Sequence, residues 1–183
     1  MKTAGRSTAI TDIEMAFKIA PARGLTRKDT AGIDRVYFGH EFCERLLPSP
    51  EQLRRALKAV RGGRKRFSLL TPSATEYGLR DIRPLVALLE EGDEVVANDY
   101  GVLHMVQSEF GNPVVVGRVL GRIVLPALAA LRGDDSSFRG YLSLLGGRVA
   151  GVEADYFNAP LVDEFLARRI SVSLYTGPLV WTP

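Results

Sequence analysis

A histidine and a cysteine lie three residues apart in the segment Val-Tyr-Phe-Gly-His-Glu-Phe-Cys, which spans residues 36–43. A thiolate paired with an imidazole is a recognised nucleophile or metal ligand, so His40 and Cys43 are candidates for such a pair. A lone cysteine between Phe42 and Glu44 is, however, more often a small buried apolar residue. The spacing alone leaves both interpretations of Cys43 open.

Polar or glycine-containing stretches follow almost every apolar segment of the chain. Ligands of parallel α/β folds bind at the carboxyl ends of the strands, where loops and helix amino termini converge. The candidates for a general base at such an edge are Glu41, Asp99 and Glu153, because a carboxylate can accept a proton from water. The predicted lining of the pocket is His40, Asn98, Asp99, Arg118 and Tyr175.

Structural interpretations compete with these assignments. Asp99 could do nothing more than cap the following helix, whereas Asn98 beside it could address both a pocket and that helix. Glu153 and Asp155, which are two residues apart, could both face a pocket or belong to a solvated loop.

Seven apolar segments have the length and composition of β-strands. In the first of them, Ile13, Met15, Phe17 and Ile19 alternate with polar or small residues and so share one face. The predicted strands are Ile13–Ile19, Ile33–Phe38, Arg66–Leu70, Glu94–Ala97, Pro113–Val116, Arg148–Val152 and Ile170–Leu174.

Helical patterns separate these strands. Ser49-Pro-Glu-Gln52 is a capping box that predicts a helix with Leu53, Ala56, Leu57 and Val60 buried. The other predicted helices carry Leu85, Leu88 and Leu89 up to Gly92, then Leu103, Val106 and Phe110 after Asp99, then Leu161, Val162, Phe165 and Leu166 after Pro160.

The region 118–147 does not predict a topology. Its apolar run from Leu120 to Leu131 is interrupted by Pro126, and residues Arg132 to Arg139 have the composition of a surface loop.

Strands that alternate with helices predict a mainly parallel sheet, as an eight-stranded barrel or an open doubly wound sheet. The chain has neither a glycine-rich dinucleotide fingerprint nor a Walker loop, which favours the barrel. Complete barrels have eight strands in about 250 residues. We therefore predict a disordered lead-in over 1–12 and one incomplete TIM-barrel-like domain over 13–183, and a C-terminal truncation would explain the missing unit.

Composition excludes several classes of protein. No apolar stretch approaches the roughly 18 residues of a membrane helix, and the first ten residues lack the apolar core of a secretory signal. The net charge is only +3 and the basic residues are scattered, so a nucleic-acid partner is not indicated. With Cys43 as the one cysteine, no internal disulfide forms, and we expect a reduced thiol in the cytoplasm.

Three segments together resemble the collagenase-like U-type peptidases, family thirty-two. They are Val-Tyr-Phe-Gly at 36–39 with nearby Glu41, Asn-Asp-Tyr-Gly-Val-Leu at 98–103, and Val-Gly-Arg-Val-Leu at 116–120. The resemblance spans roughly residues 33–120, with a weaker echo in 149–178. The segment 36–43 is most similar to the branch that contains UbiU and UbiV, accessory proteins of oxygen-independent ubiquinone hydroxylation.

The resemblance implies a barrel and, in that branch, a 4Fe–4S cluster whose first ligand aligns with Cys43. Such a cluster normally uses four cysteine thiolates, and this chain has one cysteine, so it does not form the cluster alone. Truncation before the remaining cysteines would explain this departure. A related subunit or a hydroxylase would then be the expected partner.

Three functions follow as expectations. The first is an accessory protein in which Cys43 ligates iron, and Asn98 and Asp99 shape the neighbouring pocket. The second is a hydrolase, as the family name implies, although the chain has no HExxH motif and no Gly-x-Ser-x-Gly elbow. The third is a non-catalytic barrel module that works only with a partner subunit.

Overall fold

The structure, a computed structural model, describes residues 13–21, 25, 31–131, 133–145, 149–154 and 159–174. The predicted lead-in over 1–12 lies outside these residues, as do Tyr175 of the predicted pocket and Asp155, for which the sequence left a pocket or a loop open.

In the described ranges, seven strands form one sheet in which each strand pairs with its neighbours in the chain. Every pair is parallel. This order is that of a barrel, because a doubly wound sheet reverses its strand order at a switch point. The strands are β1 (Ala16–Ile19), β2 (Arg35–Gly39), β3 (Arg66–Leu70), β4 (Glu94–Ala97), β5 (Val114–Val116), β6 (Val149–Ala154) and β7 (Ser171–Leu174).

Six α-helices accompany the strands in the described part of the chain, and a short 3-10 helix, Glu44–Leu46, precedes the first of them. The capping box at Ser49 is formed as predicted, and the four predicted apolar residues of that helix are buried. The α-helices are α1 (Pro50–Gly62), α2 (Glu76–Val86), α3 (Tyr100–Glu109), α4 (Arg118–Ala130), α5 (Asp135–Leu144) and α6 (Ala159–Ala167).

Side chains from distant strands meet on one face of the sheet. Tyr37 Oη on β2 lies 3.0 Å from Ser173 Oγ on β7, and Lys18 Nζ on β1 lies 3.1 Å from Glu153 Oε1 on β6. Strands five positions apart in a flat sheet would be separated by roughly 24 Å, at about 4.8 Å per strand. The sheet is therefore curled, and over the described residues β1 and β7 do not pair with each other, so the fold is an incomplete α/β barrel.

The two faces of the sheet have different cores. Val36 and Phe38 point outward into the large apolar cluster between the sheet and the helices. Tyr37, between them, points inward and packs with Leu70 and Val96 in a small cluster on the concave face. The side chains on the concave face of each strand thus point into the barrel.

At the amino ends of the strands, the concave face carries a buried polar network. Arg35 lies 2.7 Å from Glu94 and donates a hydrogen bond of 3.0 Å to Ser68, which donates one of 2.9 Å to Glu94. Burial raises the pKa of the Glu94 carboxyl, and Arg35 opposes that rise. The network satisfies polar groups that burial would otherwise leave without partners.

Strand bounds lie within two residues of the predicted ones, except at the start of β1, and β6 runs past its predicted end at Val152 so that it includes Glu153. The predicted strand begins at Ile13, but β1 begins at Ala16. The reason is local, because the backbone N–H of Met15 donates to the side chain of Asp34 at 2.9 Å instead of to a neighbouring strand.

The second predicted helix extends too far. It was expected to include Leu88 and Leu89, but α2 ends at Val86. The N–H groups of Leu88 and Leu89 bond to carbonyls three residues back, at 3.1 and 3.0 Å, which is the tighter geometry of a helix end.

The region left open in the sequence contains two helices. Helix α4 runs through Pro126, and its buried stripe includes Leu120, Val124 and Leu128 on both sides of the proline. The prediction of a surface loop over residues 132–139 is wrong from Asp135 onward, where α5 begins. The Asp134 side chain caps this helix by accepting from the N–H of Ser137.

Candidate functional site

Four charged side chains meet at the carboxyl ends of the strands. Lys18 comes from β1, Glu41 from the loop after β2, Arg118 from the first position of α4, and Glu153 from β6. Lys18 Nζ lies 3.4 Å from Glu41 and 3.1 Å from Glu153. Arg118 makes two bonds to Glu41, one of them from Nε at 3.2 Å. We call Lys18, Glu41, Arg118 and Glu153 the charged cluster.

The anions of the charged cluster are more deeply buried than the cations. The Glu41 and Glu153 side chains are 9% and 0% exposed, whereas those of Lys18 and Arg118 are 26% and 24% exposed. The carboxylates therefore form the floor of the cluster, and the cations face its opening.

Burial raises the pKa of the Glu153 carboxyl, and the Glu41 carboxylate adds to the rise, while Lys18 opposes it. The backbone N–H of Arg118 also donates to Glu153 at 3.2 Å. Two carboxyl groups with different environments in one site can divide the roles of acid and base.

Asn98 ties the end of β3 to the start of α4. Its side-chain amide donates to the carbonyl of Thr71 at 2.8 Å, and its oxygen accepts from the N–H of Val119 at 2.8 Å. Gly117, the N-cap of α4, has no side chain to cap that helix. Asn98 and Glu153 therefore satisfy the first N–H groups of α4 and position Arg118.

Asp99 is used as a helix cap. It accepts from the N–H of Gly101 at 2.6 Å and of Val102 at 3.3 Å. These bonds satisfy N–H groups at the amino terminus of α3. Asp99 thus has the structural role that the sequence analysis set against a catalytic one.

The backbone turns sharply between β2 and Glu41. Gly39 has a φ of 139°, which L side chains rarely adopt, and a side chain there would collide with the carbonyl of Leu70. The glycine thus allows the chain to turn at the strand end and to carry Glu41 to the charged cluster.

His40 and Cys43 are joined through the backbone. The Nδ1 atom of His40 accepts from the N–H of Cys43 at 3.1 Å and from that of Phe42 at 3.3 Å. This bonding shapes the loop that carries Glu41. Cys43 is half-buried and makes no disulfide.

The donor set does not fit the cluster that the resemblance implies. One cysteine supplies one of the four thiolates of a 4Fe–4S centre. In the ranges that the structure describes, no three His, Cys, Asp or Glu side chains are grouped so as to hold a metal ion.

The structure brings together three of the predicted residues, Glu41, Arg118 and Glu153, and adds Lys18. The pattern of β1 contained a signal for Lys18, because it occupies the face opposite Phe17 and Ile19. In a barrel that face is the interior. Tyr175 lies outside the described residues.

Comparison with known proteins gives no relative. No family model, no curated protein and no solved structure matches this chain. Among the described helices, none is long and apolar enough to cross a membrane. The charged cluster at the mouth of the barrel is therefore the basis on which a function is proposed.

Proposed function

We propose that this chain is a ligand-binding barrel of the collagenase-like U-type peptidase family thirty-two, with the accessory role of the UbiU/UbiV branch in ubiquinone hydroxylation in the cytoplasm. The observation that carries the binding function is the charged cluster, in which four side chains from four separate segments meet at the barrel mouth. Ligands of barrels bind at this edge.

The three segments that resemble the family support the proposal. They contribute Glu41, Asn98 and Arg118, and these residues belong to one hydrogen-bonded arrangement around the start of α4. Segments that are far apart in the chain and resemble one family thus contribute to one site.

The edges of the sheet support a partner subunit. Among the described strands, β1 and β7 each pair on one side only. Met15 and Phe17 on the β1 side are 61% and 39% exposed, and Leu174 on β7 is 59% exposed. Unpaired edges favour association, so a related barrel subunit is the proposed partner.

Ligand binding is tested by thermal unfolding of the purified chain with a mixed panel of anionic, neutral and cationic small metabolites. We expect at least one compound to raise the melting temperature. The paired variant Lys18→Met/Glu153→Gln removes one charge of each sign and should abolish that shift. Arg61→Met, which removes a surface ion pair with Asp93, should leave the shift unchanged. Stabilisation that survives the paired variant would place the ligand elsewhere.

The iron role of Cys43 is a separate prediction. The chain together with the proposed partner subunit, which would supply the remaining thiolates, should show visible absorption after anaerobic reconstitution with ferrous iron and sulfide, and Cys43→Ala should remove it. His104→Ala, which removes an exposed imidazole on α3, should not change it. Absorption that persists in Cys43→Ala excludes Cys43 as a ligand.

A peptidase-like hydrolase is the second candidate. The observation that favours it is Glu153, a buried carboxyl whose pKa burial raises, beside the second carboxyl of Glu41. Such a group can hold a proton that a leaving group needs. If a broad peptide library is cleaved, Glu153→Gln should reduce kcat by about 100-fold or more, whereas Glu164→Gln on α6 should not. If no peptide is cleaved, the hydrolase candidate is excluded and the binding function remains.

A further inference from the structure

The groups that face solvent at the charged cluster are cationic and aromatic. Lys18 and Arg118 are the more exposed members of the cluster. The guanidinium carbon of Arg118 lies 5.5 Å from the centre of the Phe42 ring, and His40 contacts that ring edge-on at 6.3 Å. Phe42 is nevertheless 63% exposed. A large apolar ring is thus held beside the Arg118 guanidinium at the opening.

Acidic side chains near this opening are engaged by the protein itself. Glu41 and Glu153 lie beneath the cations. Glu44 accepts from the N–H of Thr75 at 2.9 Å, and Asp99 caps α3. Lys18 and Arg118 are ion-paired as well, but their side chains are more exposed than the carboxylates, so among the described residues of the cluster positive charge lies nearer the opening.

We infer that the mouth of the barrel binds an organic anion whose carboxylate or phosphate lies between Lys18 and Arg118 and whose planar body lies against Phe42. This inference rests on the proposed function, because it names the class of ligand for the same site. A guanidinium carries five N–H donors, so Arg118 can bond Glu41 and the carboxylate or phosphate of a ligand at the same time. An exposed aromatic ring stacks on planar groups.

The protonation of Glu153 works in the same direction. Burial raises the pKa of its carboxyl, so Glu153 carries negative charge over a narrower pH range than an exposed glutamate. With Glu153 protonated, Lys18 and Arg118 outnumber the one remaining carboxylate of the cluster, and an incoming anion is attracted more strongly.

Calorimetric titration of the full chain tests the inference with five probes of defined charge and shape. Benzoate and phenyl phosphate carry a ring and an anion, acetate carries the anion alone, and benzamide and benzylammonium carry the ring without negative charge. We expect benzoate or phenyl phosphate to bind at least about tenfold more tightly than benzamide, because hydrogen bonds to charged groups are stronger than those between neutral groups. Benzylammonium should bind most weakly.

Variants separate the two halves of the site. Arg118→Met should lower the affinity for benzoate or phenyl phosphate by at least about tenfold. Phe42→Ala, which removes an exposed ring, should lower the affinity for these two probes by about two- to tenfold and leave the affinity for acetate unchanged. Tyr77→Ala is the matched control, because Tyr77 is also exposed and lies 5.7 Å from an arginine, Arg80, outside the charged cluster.

Preference for benzamide or benzylammonium would overturn the inference, and so would anion binding that both Arg118→Met and Phe42→Ala leave intact. If a neutral or cationic compound binds and Lys18→Met/Glu153→Gln abolishes its binding, the site stands and only the ligand class is wrong. If no compound of any charge binds, the proposed binding function fails with it. The affinity for benzoate compared with that for phenyl phosphate shows whether the site prefers a carboxylate or a phosphate.

Discussion

At Gly117 the backbone passes so close to Asn98 that no side chain fits between them. A Cβ atom built on Gly117 would overlap the side-chain amide of Asn98. The amide is fixed by bonds to the Thr71 carbonyl and the Val119 N–H, so it does not move without losing them. This contact fixes the start of α4 and thereby the place of Arg118.

Gly117→Ala should therefore lower the free energy of unfolding by about 1–3 kcal/mol, the usual cost of overpacking. Gly140→Ala is the control, because a Cβ on Gly140 in α5 meets nothing within 4 Å, and alanine there should stabilise by up to about 1 kcal/mol. Urea unfolding of both variants measures the difference. Equal stabilities would show that Asn98 is not confined.

Glu153 should make stability depend on pH. Burial raises its folded-state pKa above the ordinary value of 4.5, so the folded state holds this proton more tightly than the unfolded state. The contribution of Glu153 to stability is then largest below the ordinary pKa and is lost as the pH rises through the folded-state value.

Relative to Glu153→Gln, the wild-type chain should gain stability as the pH falls from neutral towards 4.5 and show a constant difference below that value. Urea unfolding at several pH values measures this difference. Glu51→Gln, at an exposed position on α1, should follow the wild type. A flat difference between the wild type and Glu153→Gln would mean that Glu153 titrates normally.

At the scale of the element, α1 is specified almost entirely by nearby residues. Ser49 accepts from the N–H of Gln52 at 3.2 Å, and Gln52 accepts from the N–H of Ser49 at 2.7 Å. Ser49→Ala should reduce the free energy of unfolding by about 1 kcal/mol. Lys58→Ala, on the exposed face of the same helix, should change it little. Thermal unfolding distinguishes the two, and equal melting temperatures would contradict the cap.

Helix α4 shows the opposite case, in which packing overrides a local signal. Pro126 lacks the N–H of a helical bond, but Leu120, Val124 and Leu128 are buried on one stripe and hold the helix across it. The sequence therefore suggested an interruption where the structure has none.

Pro126 is exposed, so Pro126→Ala should restore a helical bond without disturbing the core. We expect the free energy of unfolding to rise by about 2 kcal/mol. Proline costs about 3 kcal/mol in a helix interior, whereas its restriction of the unfolded chain stabilises the folded state by less than about 1 kcal/mol. Ile123→Ala, at another exposed position of α4, is the control. Loss of stability in Pro126→Ala would show that the helix is bent around the proline.

At the scale of the whole molecule, the curl of the sheet makes the site. Lys18 and Glu153 come from β1 and β6, five positions apart in the sheet, and they touch because the sheet bends around its concave face. The same curl leaves β1 and β7 unpaired with each other over the described residues.

Association through these edges should be visible in light scattering. We expect a mass above that of one chain that rises with concentration, and Met15→Lys/Phe17→Lys should reduce it by placing charge on the exposed side of β1. Ile123→Lys, at an exposed position on α4, should not. A single-chain mass at all concentrations would count against a partner at this edge.

Most of the local structure is predictable from the sequence alone. Alternating apolar residues and caps act within a few residues, so the seven strands and the first turns of α1 and α3 are predictable. The sequence also named Glu41, Arg118 and Glu153, because polar residues at or just after the carboxyl ends of parallel strands share one edge. The iron role of Cys43 stays a prediction.

Which polar residues form the site depends on how the strands and helices pack together. Asn98 and Asp99 are adjacent and similar in the sequence, yet one joins β3 to α4 and the other caps α3. Lys18 enters the site only because the sheet curls until β1 lies near β6. Curvature arises from the packing of all strands and helices together, and no local pattern of residues contains it.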